Sequence, residues 1–334
     1  MLHHDPAATK RRVYEALNRL ARAPETELAD QVAALFGADA DWHGQHPVNH
    51  QTGHAAIVAK VYAPLARSFT HLRRADDFFT GGHAFGNDWI SACGYLHGVF
   101  TADYLGIPAT QNWVTIRYGE FHKIEGGRIT RSHVILDLPD LMRQAGVLGW
   151  PLGPGVHGIT PGPASRDGVF LQASDPAESA KSLALVDTMI FEGFVAVNGR
   201  TNPEDMRRYW HDDMYWYGPC LIGSSMGLKG FYTFHETPWE IAVAPRGATP
   251  TKESKHVTRF GDGDFFSFTG WPSIYGSLIG PFLGIEGLNQ PIDIRVMDFY
   301  HRRGDKLDEN WVFLDMVHMF LQLDIDLFAL ITKR

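Results

Sequence analysis

Apolar residues along this chain move from a helical rhythm to a strand rhythm, and they do so twice. Val13-Tyr14-Glu15-Ala16-Leu17 opens an amphipathic helix, and Ile190-Phe191-Glu192-Gly193-Phe194 opens a matching one. A second helical stretch is predicted near 26–36 and again near 203–210. Ile57, Val61, Leu65 and Phe69 stand at helical spacing after Gly53 and predict a third helix. Its counterpart follows Gly227, and Pro64 and Pro238 each lie 11 residues beyond their glycine. The remainder of each half reads as strand. In the first half, 89–100, 111–124 and 128–136 are rich in aromatic and β-branched residues, with a hairpin turn at Glu125-Gly126-Gly127; Gly304-Asp305 turns the second half. Three helices followed by an antiparallel meander predict an α+β domain whose sheet curls around the helices and leaves a pocket.

The two halves align. A shift of 178 positions lays Leu283, Gly284, Ile294, Arg295, Phe299, Leu314, Asp315 and Gln322 onto Leu105, Gly106, Ile116, Arg117, Phe121, Leu136, Asp137 and Gln144. Upstream the offset becomes 176, pairing Asp264, Ser267 and Gly270 with Asp88, Ser91 and Gly94, and then 174, pairing Trp216 and Gly218 with Trp42 and Gly44. A repeat of this length is long enough to bury its own core, so a duplicated domain is expected. Gly149, Pro151, Gly153, Pro154, Gly155, Gly158, Pro161, Gly162 and Pro163 crowd breakers into one stretch. The expected organisation is a first domain over 1–147, a Gly/Pro-rich linker over 148–179 and a second domain over 180–334.

With 44% hydrophobic and 20% charged residues, the composition suits a globular chain. A net charge of -8 and the lack of a basic run argue against nucleic acid or an anionic membrane as partner and leave a small molecule. Cys93 and Cys220 fall at non-corresponding places, so neither a disulfide framework nor a thiolate metal site is encoded. The N-terminus has no apolar signal core, and Asp315, Asp324 and Asp326 break the apolar stretch 311–331; a cytoplasmic protein is expected.

A family resemblance rests on a strand, a Gly-rich hairpin, then His133-Val134-Ile135-Leu136-Asp137-Leu138 and the helix Leu141-Met142-Arg143-Gln144-Ala145-Gly146-Val147. The second copy repeats it as Trp311-Val312-Phe313-Leu314-Asp315-Met316 with Met319-Phe320-Leu321-Gln322-Leu323, and Asp41-Trp42 before Gly53 also fits. This pattern resembles SnoaL-like polyketide cyclases of the nuclear transport factor 2-like superfamily. The resemblance implies two tandem cone-shaped α+β barrels packed as an intramolecular pseudo-dimer, the chain being a monomer or a homodimer of that unit. It also implies aldol-type ring closure by one last-strand carboxylate, with no metal or organic cofactor.

The acid of that family falls at Val134 and Val312, three residues before Asp137 and Asp315. Alternation along a strand should then turn Asp137 and Asp315 away from the pocket, into structural roles. The family's supporting histidine position holds Glu120 and Asp298, and a carboxylate in an apolar cone has a raised pKa suited to acid/base work. The expected catalytic set is Asp298, Glu120 and His43, with His46, Trp42, Trp216, Tyr217, Tyr300 and Trp271 as ligand contacts.

The first copy also carries His43, His46, His50 and His54 within a short run, but Gly53 breaks the helix that would place His50 and His54 on one face, so no metal is assigned. Phosphate-binding loops, dinucleotide fingerprints and Gly-x-Ser-x-Gly elbows are absent from the sequence. Two readings remain. One is a cofactor-independent cyclase, isomerase, lyase or hydrolase acting on a hydrophobic small molecule, and the other is a binding protein that has lost the family's last-strand acid.

Overall fold

The computed structural model describes residues 6–160 and 162–331. They form two compact units. One takes the described residues within Met1–Gly149, Pro161–Ala173 and Leu327–Arg334, and the other takes Trp150–Thr160 and Ser174–Asp326.

In the first unit, helices α1 (Pro6–Arg22) and α2 (Leu28–Leu35) lead into strands β1 (Phe36–Gly44) and β2 (His50–Thr52). Short helices α3 (Gly53–Ile57) and α4 (Ala63–Ser68) precede four long strands and a last helix: β3 (Phe69–Ala84), β4 (Asn87–Phe100), β5 (Trp113–Glu125), β6 (Arg128–Leu136) and α5 (Leu138–Gln144). The sheet order is β2-β1-β6-β5-β4-β3, with β1 parallel to β6 and the other pairs antiparallel.

The second unit repeats this order. Helices α6 (Pro176–Thr188) and α7 (Pro203–Met206) are followed by β7 (Trp210–Tyr217), β8 (Ser225–Met226), α8 (Gly227–Phe231), α9 (Thr237–Ala242), β9 (Val243–Pro245) and α10 (Lys252–Lys255). The chain then runs through β10 (Thr258–Asp262), β11 (Phe265–Leu278), β12 (Gln290–Arg303), β13 (Lys306–Leu314) and α11 (Met316–Leu321). The sheet order is β10-β11-β12-β13-β7-β8, and β9 also pairs with β11.

Both folds are α+β, and each departs from the expected run of elements at a few places. The sheets are mixed, because β1 and β7 return alongside β6 and β13 in parallel. Each sheet curls as the expected cone does, and among the described residues no ladder joins its two edges. The helix expected over 203–210 stops at Met206, because Trp210 already pairs with Leu307 as strand. Phe69, placed at helical spacing, begins β3 instead.

The helix predicted after Gly53 forms with one π turn in it, Val58–Tyr62, and its counterpart has the same turn at Tyr232–Glu236. The cause is visible in the sequence. A proline in a helix clashes with the carbonyl four residues back. Pro64 and Pro238 stand just after these turns, where the amides of Ala63 and Thr237 bond the carbonyls of Val58 and Tyr232, five residues back. The wider turn accommodates the proline without ending the helix.

Gly94 and Gly270 occupy matching close approaches. A Cβ on Gly94 would lie 2.2 Å from the Ala75 carbonyl oxygen, and one on Gly270 would lie 2.3 Å from that of Lys255. Each sits where the ladder to the neighbouring strand is irregular, between Asp76 and Phe78 in one unit and between Gly270 and Ile274 in the other. Gly94→Ala is expected to lower stability by about 1–3 kcal/mol in urea unfolding, because backbone must move to admit the methyl. An unchanged midpoint would show that the strand opens without cost.

Candidate functional site

Each unit holds a cavity on the inner face of its sheet, and the two differ in size and charge balance. The first, about 60 Å³, is lined by Trp42, Tyr62, Arg74, Tyr118, Glu120 and Val134 among others. Glu120 is buried and ion-paired with the Arg74 guanidinium at 2.5 Å, with the His122 Nε2 at 3.2 Å. Desolvation alone would push its carboxyl up, but Arg74 and His122 outweigh this and hold it down at about 2. Arg74 also pairs with Asp76, which accepts a hydrogen bond from the Tyr118 hydroxyl at 2.7 Å. A carboxylate so fully compensated is a structural ion pair.

The cavity of the second unit is about 310 Å³ and carries different chemistry. Asp298 and Tyr300, two apart on β12, line it together, with Asn310 and Val312 from β13. Asn310 donates to Asp298 Oδ1 at 3.2 Å and to the Phe299 carbonyl at 3.1 Å, fixing the carboxyl from one side. Burial pushes the Asp298 carboxyl up to about 7, against the lowering effects of Asn310 and of the Lys255 charge. Glu236, at the end of the π turn, lines the same cavity and is pushed up to about 8 by burial and by the nearby Glu240 charge.

His235 precedes Glu236 and lies stacked on Trp216, ring centroids 4.2 Å apart. Burial lowers it to about 3, so it is neutral, and its Nδ1 has no hydrogen-bond partner. Lys255 lines the cavity from α10, donating to the Ser273 carbonyl at 3.1 Å.

The origin of the difference lies in one strand. In the first unit β3 runs unbroken past Gly94 and presents Arg74, beside the Ala75 that packs on that glycine. In the second unit the corresponding edge is split into β9 and β10, which pair with opposite ends of β11. Residues 246–250 of the intervening stretch line the cavity, and Lys255 occupies the place against Gly270. The arginine that neutralises Glu120 therefore has no equivalent beside Asp298.

Several expected contacts lie elsewhere. Tyr217 neighbours the cavity-lining Trp216 and so faces the opposite side of β7, donating to Glu309 at 2.8 Å. Trp271 falls in the irregular part of β11 and stacks on Arg295, 4.7 Å from its guanidinium. His43 lies on the face of β1 opposite Trp42, stacked on His133 and tilted against His50, each with centroids 4.7 Å apart, and His46 packs edge-on against Phe328. None of the four lines either cavity. Val134 and Val312 do line them, while Asp137 and Asp315 cap α5 and α11, accepting from the amides of Asp140 and His318.

Among the described residues, two groups bring three metal-type ligand atoms within 4.8 Å of one another: Asp41, His43 and His50, and His301, Asp308 and Glu309. Both lie outside the cavities, and internal bonds already engage them, His50 to Asp41 at 3.2 Å and His301 to Asp308 at 2.7 Å.

No family model and no curated protein matches this sequence. Solved structures do. The chain is similar to an NTF2-like protein from Burkholderia xenovorans, at 14% identity and a TM-score of 0.33, over 43% of this chain and 96% of that one. It is also similar to a protein from Jannaschia assigned as a SnoaL-like polyketide cyclase, at 16% identity and a TM-score of 0.33, over 44% and 96% of the two chains. A third is IdmH from Streptomyces antibioticus, assigned as a polyketide cyclase, at 19% identity and a TM-score of 0.32, over 43% and 100%. Among the described residues no helix is long and apolar enough to cross a membrane.

The raised pKa of Asp298 has a consequence for stability. Its folded value near 7 exceeds the ~3.9 of an unfolded aspartate. The folded state therefore keeps the proton longer, and the contribution is full below about pH 4 and lost as pH rises through 7. Glu236 acts in the same direction. Asp298→Asn, which keeps the shape and removes the titration, is expected to lose less stability than the wild type between about pH 5 and pH 9. Urea unfolding across that range should show the gap shifting by on the order of a few kcal/mol; a pH-independent gap would mean that Asp298 is well solvated.

Proposed function

We propose that this chain is an acid/base enzyme acting on a hydrophobic small molecule with an acidic C–H bond, in the cavity of the second unit. The observation that carries this reading is Asp298: a carboxylate buried on the inner face of a sheet, titrating near 7, with an amide donor on one side and open cavity on the other. A base whose pKa lies near neutrality can both take and return a proton during turnover.

Asp298 removes the proton from carbon. The negative charge moves to the neighbouring carbonyl oxygen of the substrate, where the Tyr300 hydroxyl and the protonated Glu236 carboxyl donate hydrogen bonds. Asn310 keeps Asp298 oriented. Val296, Phe231, Phe268 and Trp216 supply the apolar wall, which suits an aromatic or alicyclic substrate. This chemistry is shared by cyclases, isomerases and lyases that work through enolates, and the side chains in the cavity suffice for it. The first unit plays a different part: its small cavity and the Arg74–Glu120 pair make it a packed copy without a free base.

The reading is tested with 2-tetralone, an apolar ketone with acidic α-protons, in deuterated buffer. The protein is expected to accelerate α-deuteration followed by NMR, and Asp298→Asn to reduce that acceleration by about 100-fold or more. Glu120→Gln is expected to leave it within about 2-fold while lowering stability, since it strips buried Arg74 of one of its two carboxylate partners. Exchange that persists undiminished in Asp298→Asn would remove Asp298 from the mechanism.

A further inference from the structure

Lys255 has a setting unlike that of a surface lysine. It stands at the break in the edge strand, half-buried, with its side chain on the cavity that holds Asp298 and Glu236. Among the described residues its ammonium forms no salt bridge; its hydrogen bond goes to the Ser273 carbonyl. Lys252, three residues earlier on the same short helix, points elsewhere and pairs with Asp187 at 2.7 Å. Burial lowers Lys255 to about 8, and the nearby Asp298 charge only partly offsets this. An amine on a cavity wall that is part-neutral near pH 7 can act as a nucleophile rather than a fixed charge.

We propose that Lys255 captures an aldehyde or ketone ligand as an imine, with Glu236 as proton donor to the departing oxygen and Asp298 as base at the α-carbon. The Nζ lone pair adds to the carbonyl carbon while the C=O π pair moves to oxygen. One proton passes from nitrogen to that oxygen through the Glu236 carboxyl. A second proton, from Glu236, lets the oxygen leave as water as the C=N⁺–H bond forms. Asp298 then takes the α-proton, the C–H pair becomes the enamine double bond, and the nitrogen recovers its pair. Addition of one water reverses the sequence and frees the lysine. The iminium is a stronger electron sink than a neutral carbonyl, so it lightens the demand on a single carboxylate base. The α-carbon step rests on the acid/base reading of this cavity, whereas the capture step does not.

The experiment uses the full chain with trans-cinnamaldehyde, an apolar aldehyde, and sodium cyanoborohydride to fix any imine, with adducts mapped by peptide mass spectrometry. At pH 7 Lys255 is expected to be modified at least about 10-fold faster than Lys252 and Lys229, given its larger fraction of free amine. Its labelling should rise with pH to a half-maximum near 8. Labelling of Lys255 no faster than of those two lysines overturns the proposal.

A second arm measures 2-tetralone deuteration in Lys255→Met, where a fall of about 10-fold or more is expected. Undiminished exchange there, with no adduct at Lys255, overturns imine formation and leaves the carboxylate mechanism standing. Fast trapping at Lys255 without any 2-tetralone exchange in the wild type supports capture and removes the acid/base reading instead.

Discussion

A carboxylate fixed to the inner face of a sheet cannot turn back to water, because the ladders on both sides of its strand hold the backbone and the pleat sets its direction. Such a group must be matched by a cation or give up its charge. The two halves of this protein answer that constraint in opposite ways at the same position. Glu120, on β5, is matched by Arg74 and stays ionised, and its cavity is small. Asp298, on β12, has an amide donor but no ion pair and sits near its titration point in a larger cavity. The sheet order around them is the same in both units; the adjoining edge strand, continuous in one and divided in the other, accompanies the difference.

The wide helical turn adds the second acid. At the register of Tyr62 in the first copy the second copy carries Glu236, and each residue closes a π turn that a proline follows. The proline thus has an effect beyond local geometry: the extra residue in the turn shifts where the helix presents its side chains, and both Tyr62 and Glu236 line their cavities. Exposed to water, a glutamate beside Glu240 would simply ionise. Here burial keeps its proton on at neutral pH, which makes it a donor.

Much of this fold could be read from spacing alone. The order of helices and strands follows from hydrophobic period, and the drift of the repeat offset from aligning the two halves; Asp298 is reached only through the family resemblance, which places it at a supporting position. What could not be read was set by interruptions of that period. Tyr217 and Trp216 cannot share the pocket because adjacent strand residues face opposite sides, and Trp271 lies where an irregular ladder breaks the alternation. Glu236 and Lys255 reach the cavity only through a π turn and a strand break, and neither leaves a periodic trace. The cue for Glu236 was Pro238, whose equivalence to Pro64 was visible but whose effect on the turn was not. For Lys255 the cue was weaker still, a lysine beside a histidine with no apolar rhythm around it.

The divided edge strand also bears on how such a protein changes over generations. Residues 246–251 connect β9 to α10 outside every ladder, and several of them form the rim of the cavity. Lengthening a surface connection costs little, since the closure entropy grows only with the logarithm of its length. Insertions there would reshape what enters the cavity while the hydrogen-bonded register that positions Asp298, Tyr300 and Asn310 stays as it is. In the first unit the same edge is one continuous strand, where each inserted residue would reverse the faces of those beyond it. Cavity shape and carboxylate placement are thus separable in one half of the chain and locked together in the other.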